Sequence, residues 1–348
     1  MKNTPIPTRP RNETGSPMME LANRLRERVV GQDAAIEAIV PYVELYEAGL
    51  APEGRPVGVF LLLGPTGTGK TRTVEALADV IHGNERSLLR VDCGEFQLEH
   101  EVAKLIGAPP GYLGHRETQP MISQHRLNAT TSERSNLSIV LFDEIEKAAP
   151  SMGRLLLGVL DKATLKLGDN TTVNFERSLI FMASNLGARE MESELTRRYG
   201  LASATSGDGS VAKLRRIGMN AVRKRFSPEF INRVDRSITY RPLSAEALDS
   251  ILDLQLDDLN RHLALRMGPA AFRLQLSAAA RAFLIEEGTS PEYGARELKR
   301  VIHRYVIQPL ARIVLEHGAE PGSTLTVDRA ASAEALTFLV KSSRPLAA

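Results

Sequence analysis

The residues best suited to chemistry begin at Gly64. Gly64 to Thr71 reads GPTGTGKT, which satisfies G-x-x-x-x-G-K-[ST] at every fixed position: Gly64, Gly69, Lys70 and Thr71. Glycines let such a loop turn tightly, so that successive backbone N–H groups converge on phosphate oxygens. A lysine at the place of Lys70 reaches β- and γ-phosphates, and the Thr71 hydroxyl can ligate Mg²⁺. Pro65, Thr66, Gly67 and Thr68 within the loop, and Arg72 just after it, complete the expected nucleotide contacts. The pattern predicts a site for a nucleoside triphosphate.

A second constellation lies 73 residues downstream of Lys70 (143 − 70), where Ser138-Ile139-Val140-Leu141-Phe142 runs into Asp143-Glu144. Two adjacent carboxylates at a strand end can divide the work. Asp143 would hold Mg²⁺, directly or through water, and Glu144 would orient and deprotonate the attacking water. The pair could also open the next helix, where acidic residues suit the dipole. Asn185, at the end of Leu179 to Ser184, could hydrogen-bond the γ-phosphate or the lytic water, or simply cap its strand. Arg233 and Arg296 are candidates for neutralising charge on a transferring phosphoryl group. Tyr112, inside Pro109-Pro110-Gly111-Tyr112-Leu113-Gly114, is an aromatic on a glycine-hinged loop that either protrudes or anchors the loop in a core.

These groups need a scaffold, and the hydrophobic pattern predicts one. Val59 to Leu63 is an apolar run of strand length; Val74, Leu77, Ala78 and Ile81 then recur at helical spacing until Gly83. Strand, glycine loop and helix together aim a helix N-terminus at the phosphates. Further strands are expected at Leu88 to Asp92, Ser138 to Phe142 and Leu179 to Ser184, with helices near 95–105, 151–160 and 211–226. The alternation predicts an α/β fold, a parallel sheet covered on both faces, with active residues at the carboxyl ends of strands. After Pro242 the pattern becomes helical, near 245–265, 277–287 and 295–317, and 324–327 could pair with 336–340 as a hairpin. The expected organisation is a lead-in at 1–17, a nucleotide-binding part at 18–242, a smaller helical part at 243–330, and a terminal strand and tail at 331–348.

Composition bounds the remainder. The 348 residues are 43% hydrophobic and 25% charged, with 44 basic and 42 acidic side chains, so no net charge draws the chain to nucleic acid or anionic lipid. One cysteine, Cys93, excludes an intramolecular disulfide framework and a cysteine-rich zinc site. No apolar run approaches the roughly 20 residues of a membrane span, and the N-terminus carries no apolar signal core. The expected compartment is the cytoplasm.

The chain resembles the second ATPase domain of the Clp-type AAA+ unfoldases, the group of ClpB, ClpA and ClpC, from about Leu25 to Val327. The likeness is carried by VVGQDAAIEAI, GPTGTGKT, LIGAPPGYLG, VLFDEIEKAAP, MASNLG, FSPEFINRVD and YGARELKR, in the family's order. It implies an AAA+ P-loop large domain followed by a helical lid, with ATP and Mg²⁺ as cofactors. It further implies Asn185 as the sensor-1 residue, Arg233 as an arginine finger reaching a neighbouring subunit, and Arg296 as the sensor-2 arginine. Val29, Val30 and Gln32 would border the adenine, and Tyr112, with Gly111, Leu113 and Gly114, would form the pore loop that grips polypeptide. A ring, normally a hexamer, follows from a finger that acts in trans.

The implied activity is ATP-driven unfolding or remodelling of unfolded or aggregated proteins by a single module. The alternatives are a regulatory subunit feeding a separate peptidase and, less in keeping with the charge, a nucleic-acid remodelling ATPase. The chain departs from the pattern at His115-Arg116-Glu117-Thr118 after the pore tyrosine and at LGDNTT (167–172) in the second pore loop. Tyr199-Gly200-Leu201 stands where peptidase-docking members carry an aliphatic-Gly-Leu/Phe tripeptide. The family's amino-terminal substrate-binding domain, first ATPase domain and coiled-coil middle domain have no counterpart in the motifs found.

Overall fold

Apolar residues with a period of two set the centre of the molecule. In Gly58–Leu63, Val59, Leu61 and Leu63 enter one apolar cluster while Phe60 and Leu62 enter another. Ser178–Ser184 divides in the same way, with Ile180 and Met182 against Leu179, Phe181 and Ala183. Strands buried on both faces need covering layers on both sides, which crossover helices supply. The computed structural model describes residues 17–107, 120–199, 208–289, 294–317, 321–329 and 336–341.

In chain order, α1 (Pro17–Arg26) and α2 (Asp33–Glu47) precede β1 (Gly58–Leu63), α3 (Lys70–His82) and β2 (Leu89–Asp92). Short α4 (Val102–Ile106) and α5 (Gln124–Asn128) lead to β3 (Ser138–Asp143) and α6 (Pro150–Lys162). The hairpin β4 (Thr164–Lys166) and β5 (Thr172–Asn174) comes before β6 (Ser178–Ser184), α7 (Ala188–Tyr199) and α8 (Asp208–Arg225). Then follow α9 (Pro228–Asn232) and β7 (Arg236–Thr239). The sheet runs β2-β3-β6-β1-β7 with every pairing parallel. Its register brings Asp92 opposite Asp143, and Leu63 opposite both Ser184 and Thr239. The carboxyl ends of the strands therefore meet along one edge, which is where the chemistry was expected.

The smaller part contains α10 (Ala245–Met267), β8 (Arg273–Leu276), α11 (Ala278–Gly288), α12 (Ala295–Ile302), α13 (Gln308–His317), β9 (Thr324–Arg329) and β10 (Leu336–Lys341). Ser244 and Ser277 cap α10 and α11 through their hydroxyls, each satisfying an otherwise orphaned N–H. Leu248, Leu252, Phe283, Leu298 and Val327 belong to a third apolar cluster. No helix among the described residues is long and apolar enough to cross a membrane.

Several local expectations are corrected. The helix expected at 95–105 is a 3₁₀ turn at Cys93–Glu95 followed by the five-residue α4. Side chains there compete with a helical ladder: Asp92 accepts from the Gly94 N–H (2.9 Å) and Glu101 from the Leu98 N–H (3.0 Å). The expected hairpin of β9 and β10 forms, but β8 joins β9 in parallel to make a three-stranded sheet. A π turn at His303–Ile307 interrupts the expected long helix between α12 and α13. LGDNTT spans the turn between β4 and β5, where Asn170 takes a left-handed φ of 68°. Gly111, Tyr112, Leu113 and Gly114, together with Gly200 and Leu201, lie outside the described residues.

Candidate functional site

The P-loop hangs between β1 and α3, and its glycines do conformational work. Gly67 and Gly69 have φ of 74° and 99°, values open to glycine at little cost. At Gly64 a Cβ would also come within 2.9 Å of the Tyr240 carbonyl oxygen. Gly69 caps α3 with no side-chain acceptor, so the first-turn N–H groups of α3 keep their capacity for an anion. Gln32 departs from its expected place at the adenine. It is buried behind the loop, where its Nε2 donates to the carbonyls of Thr68 (3.0 Å) and Arg241 (2.9 Å), bracing the loop against the end of β7. Pro65 likewise contributes its carbonyl, which accepts from Thr68 Oγ1 (2.9 Å) and Lys70 Nζ (2.8 Å).

Lys70 Nζ donates to Gly64 O (2.6 Å), Pro65 O and Asn185 Oδ1 (2.9 Å). Burial lowers its pKa to about 8, against the pull of Glu146, Asp143 and Glu144 and with a push from Arg296. The ammonium is the form that binds phosphate, so affinity for ADP is expected to fall as pH rises through about 8, and binding near that pH should take up a proton. Calorimetry in buffers of different ionisation enthalpy reads this directly; no uptake would show that Lys70 is already fully charged. The same shift gives an independent sign. An unfolded lysine stays protonated up to its ordinary 10.5, so the ligand-free fold should gain stability as pH rises between about 8 and 10.5.

Across the loop, the carboxylates come from the end of β3. Asp143 Oδ2 accepts from Arg90 Nη2 (2.6 Å) and more loosely from Thr71 Oγ1 (3.4 Å), while its Oδ1 accepts the Glu144 N–H (3.1 Å). Glu144 takes a left-handed φ of 54°, an uncommon conformation for a side-chain-bearing residue, and its carboxylate pairs with Lys147 (2.6 Å). The next acid, Glu146, accepts from the Asn185 N–H (3.2 Å). Asn185 is thus held by Lys70 on one side and by the turn after Glu144 on the other.

Among the described residues no cluster of three or more His, Cys, Asp or Glu could cage a metal ion. A hydroxyl and one carboxylate close together suit Mg²⁺, which draws its remaining ligands from phosphate and water. The donors present therefore fit MgATP: Thr71 and Asp143 for the metal, the loop amides and Lys70 for the phosphates.

The smaller part closes the site. The Ala295 N–H at the start of α12 donates to the Gly67 carbonyl (3.1 Å), and a Cβ on Gly294 would lie 2.8 Å from that oxygen. Between the two parts lies a cleft of about 520 Å³, lined by Thr66 to Arg72, Asp143, Glu144, Asn185 and Arg296. Val29 and Val30 on one side face Leu243, Ile251 and Leu254 on the other, an apolar slot with room for a flat base. Arg233 stands apart from the cleft, just after α9, and pairs with Asp161.

Sequence reasoning missed Arg90, Glu146 and Arg225. Arg225 donates from Nε to Glu146 O (2.9 Å) and from Nη2 to Ala148 O (2.7 Å), tying the end of α8 to the turn after Glu144. Each of the three meets its partner only through long-range packing, so no local pattern signals it.

Comparison with known proteins agrees with this geometry. The family described as AAA domain (Cdc48 subfamily) matches residues 55–237, and the C-terminal, D2-small domain of ClpB protein matches residues 243–327. The chaperone protein ClpB of Rhodopirellula baltica is 37% identical over 311 residues, covering 89% of this chain and 33% of that protein. The ATP-dependent Clp protease ATP-binding subunit ClpC of Staphylococcus epidermidis is 36% identical over 326 residues, covering 93% and 38%. The chain spans roughly a third of the length of these curated relatives. Of solved structures, an S. cerevisiae Hsp104:casein complex in an extended conformation superposes with a TM-score of 0.78 at 29% identity, covering 92% of this chain and 52% of that one. A closed-state reconstruction of Hsp104 with ATPγS and FITC casein gives a TM-score of 0.77 at 29% identity, with coverage of 93% and 51%.

Proposed function

This chain belongs to the AAA+ ATPases of Clp type, and from that premise we propose that it is an ATP-driven protein unfoldase or remodelling module working in a ring. The observation that carries the reading is the closure of one cleft by two parts of the chain. Ala295 docks on the P-loop from the lid side and Arg296 lines the same cleft, while Asp143, Glu144 and Asn185 line it from the strand ends of the sheet, beside Lys70 of the loop itself. A site divided in this way converts a change in its occupant into a change in lid position. Thr71 and Asp143 would hold Mg²⁺, which would supply positive charge to offset the charge on the phosphates. Glu144 orients and deprotonates water, Asn185 positions it, and Lys70 and Arg296 offset charge on the transferring group. Chaperone function among the ClpB relatives, and casein in the Hsp104 complexes, support polypeptide as the substrate.

Tyr112→Ala tests the threading half of this reading. Loss of a gripping ring should leave ATP hydrolysis within a few-fold of normal, in order of magnitude, and abolish unfolding of a tagged fluorescent substrate that the wild type unfolds. If Tyr112 is a core anchor instead, its removal should destabilise the fold by roughly 3 kcal/mol or more. A lowered melting temperature with unfolding retained by the folded fraction would overturn the grip.

A second reading, an ATP-binding subunit that feeds a peptidase, draws on the ClpC relatives and on Tyr199-Gly200-Leu201. Co-sedimentation with a peptidase ring in the presence of slowly hydrolysed ATP, lost on Leu201→Ala, would decide for it.

A further inference from the structure

The cations of the cleft differ in how they are engaged. Arg28 pairs with Asp79, Arg72 with Glu85 and Arg90 with Asp143, and Lys70 is held by Gly64, Pro65 and Asn185. Arg296 and Lys299 also line the cleft, yet among the described residues neither makes a salt bridge or a side-chain hydrogen bond. Both are exposed, and Leu298, buried in the lid core, fixes the rotation of α12 that turns them outward. Three residues apart, they lie about 4.5 Å from each other along the helix axis. Ala295 pins the start of that axis to Gly67.

The two charges bear on different points of α3. Arg296 bears on Lys70 electrostatically, at the end of the loop suited to terminal phosphates. Lys299 bears on Glu75, together with Arg72 and Arg90. Glu75 lies one turn into α3, beyond the Thr71 and Arg72 amides that receive the inner phosphates of a bound nucleotide.

We propose that Lys299 is a second lid cation that contacts the inner phosphate of the nucleotide, the group common to the diphosphate and the triphosphate, while Arg296 serves the terminal one. The assignment rests on the nucleotide reading of the cleft and adds a division of labour along α12. It makes the lid a sensor of two things: Lys299 reports that any nucleotide is present, and Arg296 reports that the γ-phosphate is. A lysine suits the first task, since an ammonium on a flexible stem binds phosphate as a point charge without demanding one geometry.

The test compares Lys299→Met, Lys299→Arg and Arg296→Met in the full chain, with MgADP and with MgATP, the latter in a Glu144→Gln background. Lys299→Met is expected to weaken both nucleotides by the same factor, about three- to tenfold. That loss should shrink as salt is raised, and Lys299→Arg should restore most of it. Arg296→Met is expected to weaken MgATP more than MgADP. Unchanged affinity of Lys299→Met for both nucleotides would overturn the proposal, and so would a loss confined to MgATP. A lower melting temperature of ligand-free Lys299→Met, matched by Glu75→Gln, would make Lys299 a structural partner of Glu75 and would also overturn it. If the wild type bound neither nucleotide, the reading of the cleft would fall with it. Normal wild-type binding beside an unaffected Lys299→Met removes this inference alone.

Discussion

Glu144→Gln is expected to leave nucleotide affinity near that of the wild type and to slow hydrolysis by about 10²- to 10⁴-fold, the usual contribution of a general base. The phosphate contacts belong to other residues. Lys70 and the loop line the same cleft as Glu144, and Thr71 and Asp143 are the residues proposed to hold the metal. Glutamine keeps the size of the side chain and can still accept a hydrogen bond from Lys147, so the left-handed turn at Glu144 is not remodelled. What disappears is the capacity to take a proton from water. Lys70→Ala should behave in the opposite way and lose binding itself, because the phosphates forfeit their buried cation. Single-turnover hydrolysis measured beside equilibrium binding separates the two variants. Hydrolysis by Glu144→Gln near the wild-type rate would reassign the base.

What could be read in advance divides along the range of the interactions. The P-loop, the Asp143-Glu144 pair and strands such as β1 and β6 are local patterns, and the structure contains each of them. β7 and β8 escaped notice because each is four residues long with a single fully buried position, too little for a period to register. The helix expected at 95–105 failed for a different reason: Asp92 and Glu101 cap their own backbone, a choice that apolar spacing does not reveal.

Within the site, Arg90 meets Asp143 across 53 residues of sequence, and Gln32 meets Arg241 across 209. Such pairs exist only after the sheet has set its register. Gln32 shows the hazard of the converse inference. It sits in a motif beside Val29 and Val30, which do line the cleft, yet α2 begins at the next residue and turns its side chain toward the back of the loop. Arg296 was one charge-neutralising candidate among many arginines, and only family resemblance gave it a definite role, since an isolated arginine in a helical stretch carries no chemical signature. Its position in the cleft depends on the docking of Ala295 against Gly67.

Arg233→Ala should lower hydrolysis by on the order of 10³-fold while leaving the fold intact, and the loss should be repairable by a different subunit. In its own chain Arg233 is remote from the cleft and pairs with Asp161, with the two side chains 38% and 35% exposed. A pair so open to water contributes at most about 1 kcal/mol, so the salt bridge does not account for the residue's presence, and its removal should barely move the melting temperature. An arginine on the outer surface, on a turn tied through α9 and Arg225 to the segment after Glu144, is well placed to enter a neighbour's site. Complementation decides the matter. Rings of Arg233→Ala alone and of Lys70→Ala alone should both be nearly inactive, the first lacking the finger and the second lacking nucleotide. In mixed rings, a Lys70→Ala subunit still offers an intact Arg233 to an Arg233→Ala neighbour whose P-loop is whole, and hydrolysis should return at those junctions. The recovery should scale with the frequency of such junctions and peak near equal mixing. Mixed rings that demonstrably exchange subunits and still show no recovery would place the action of Arg233 within its own chain.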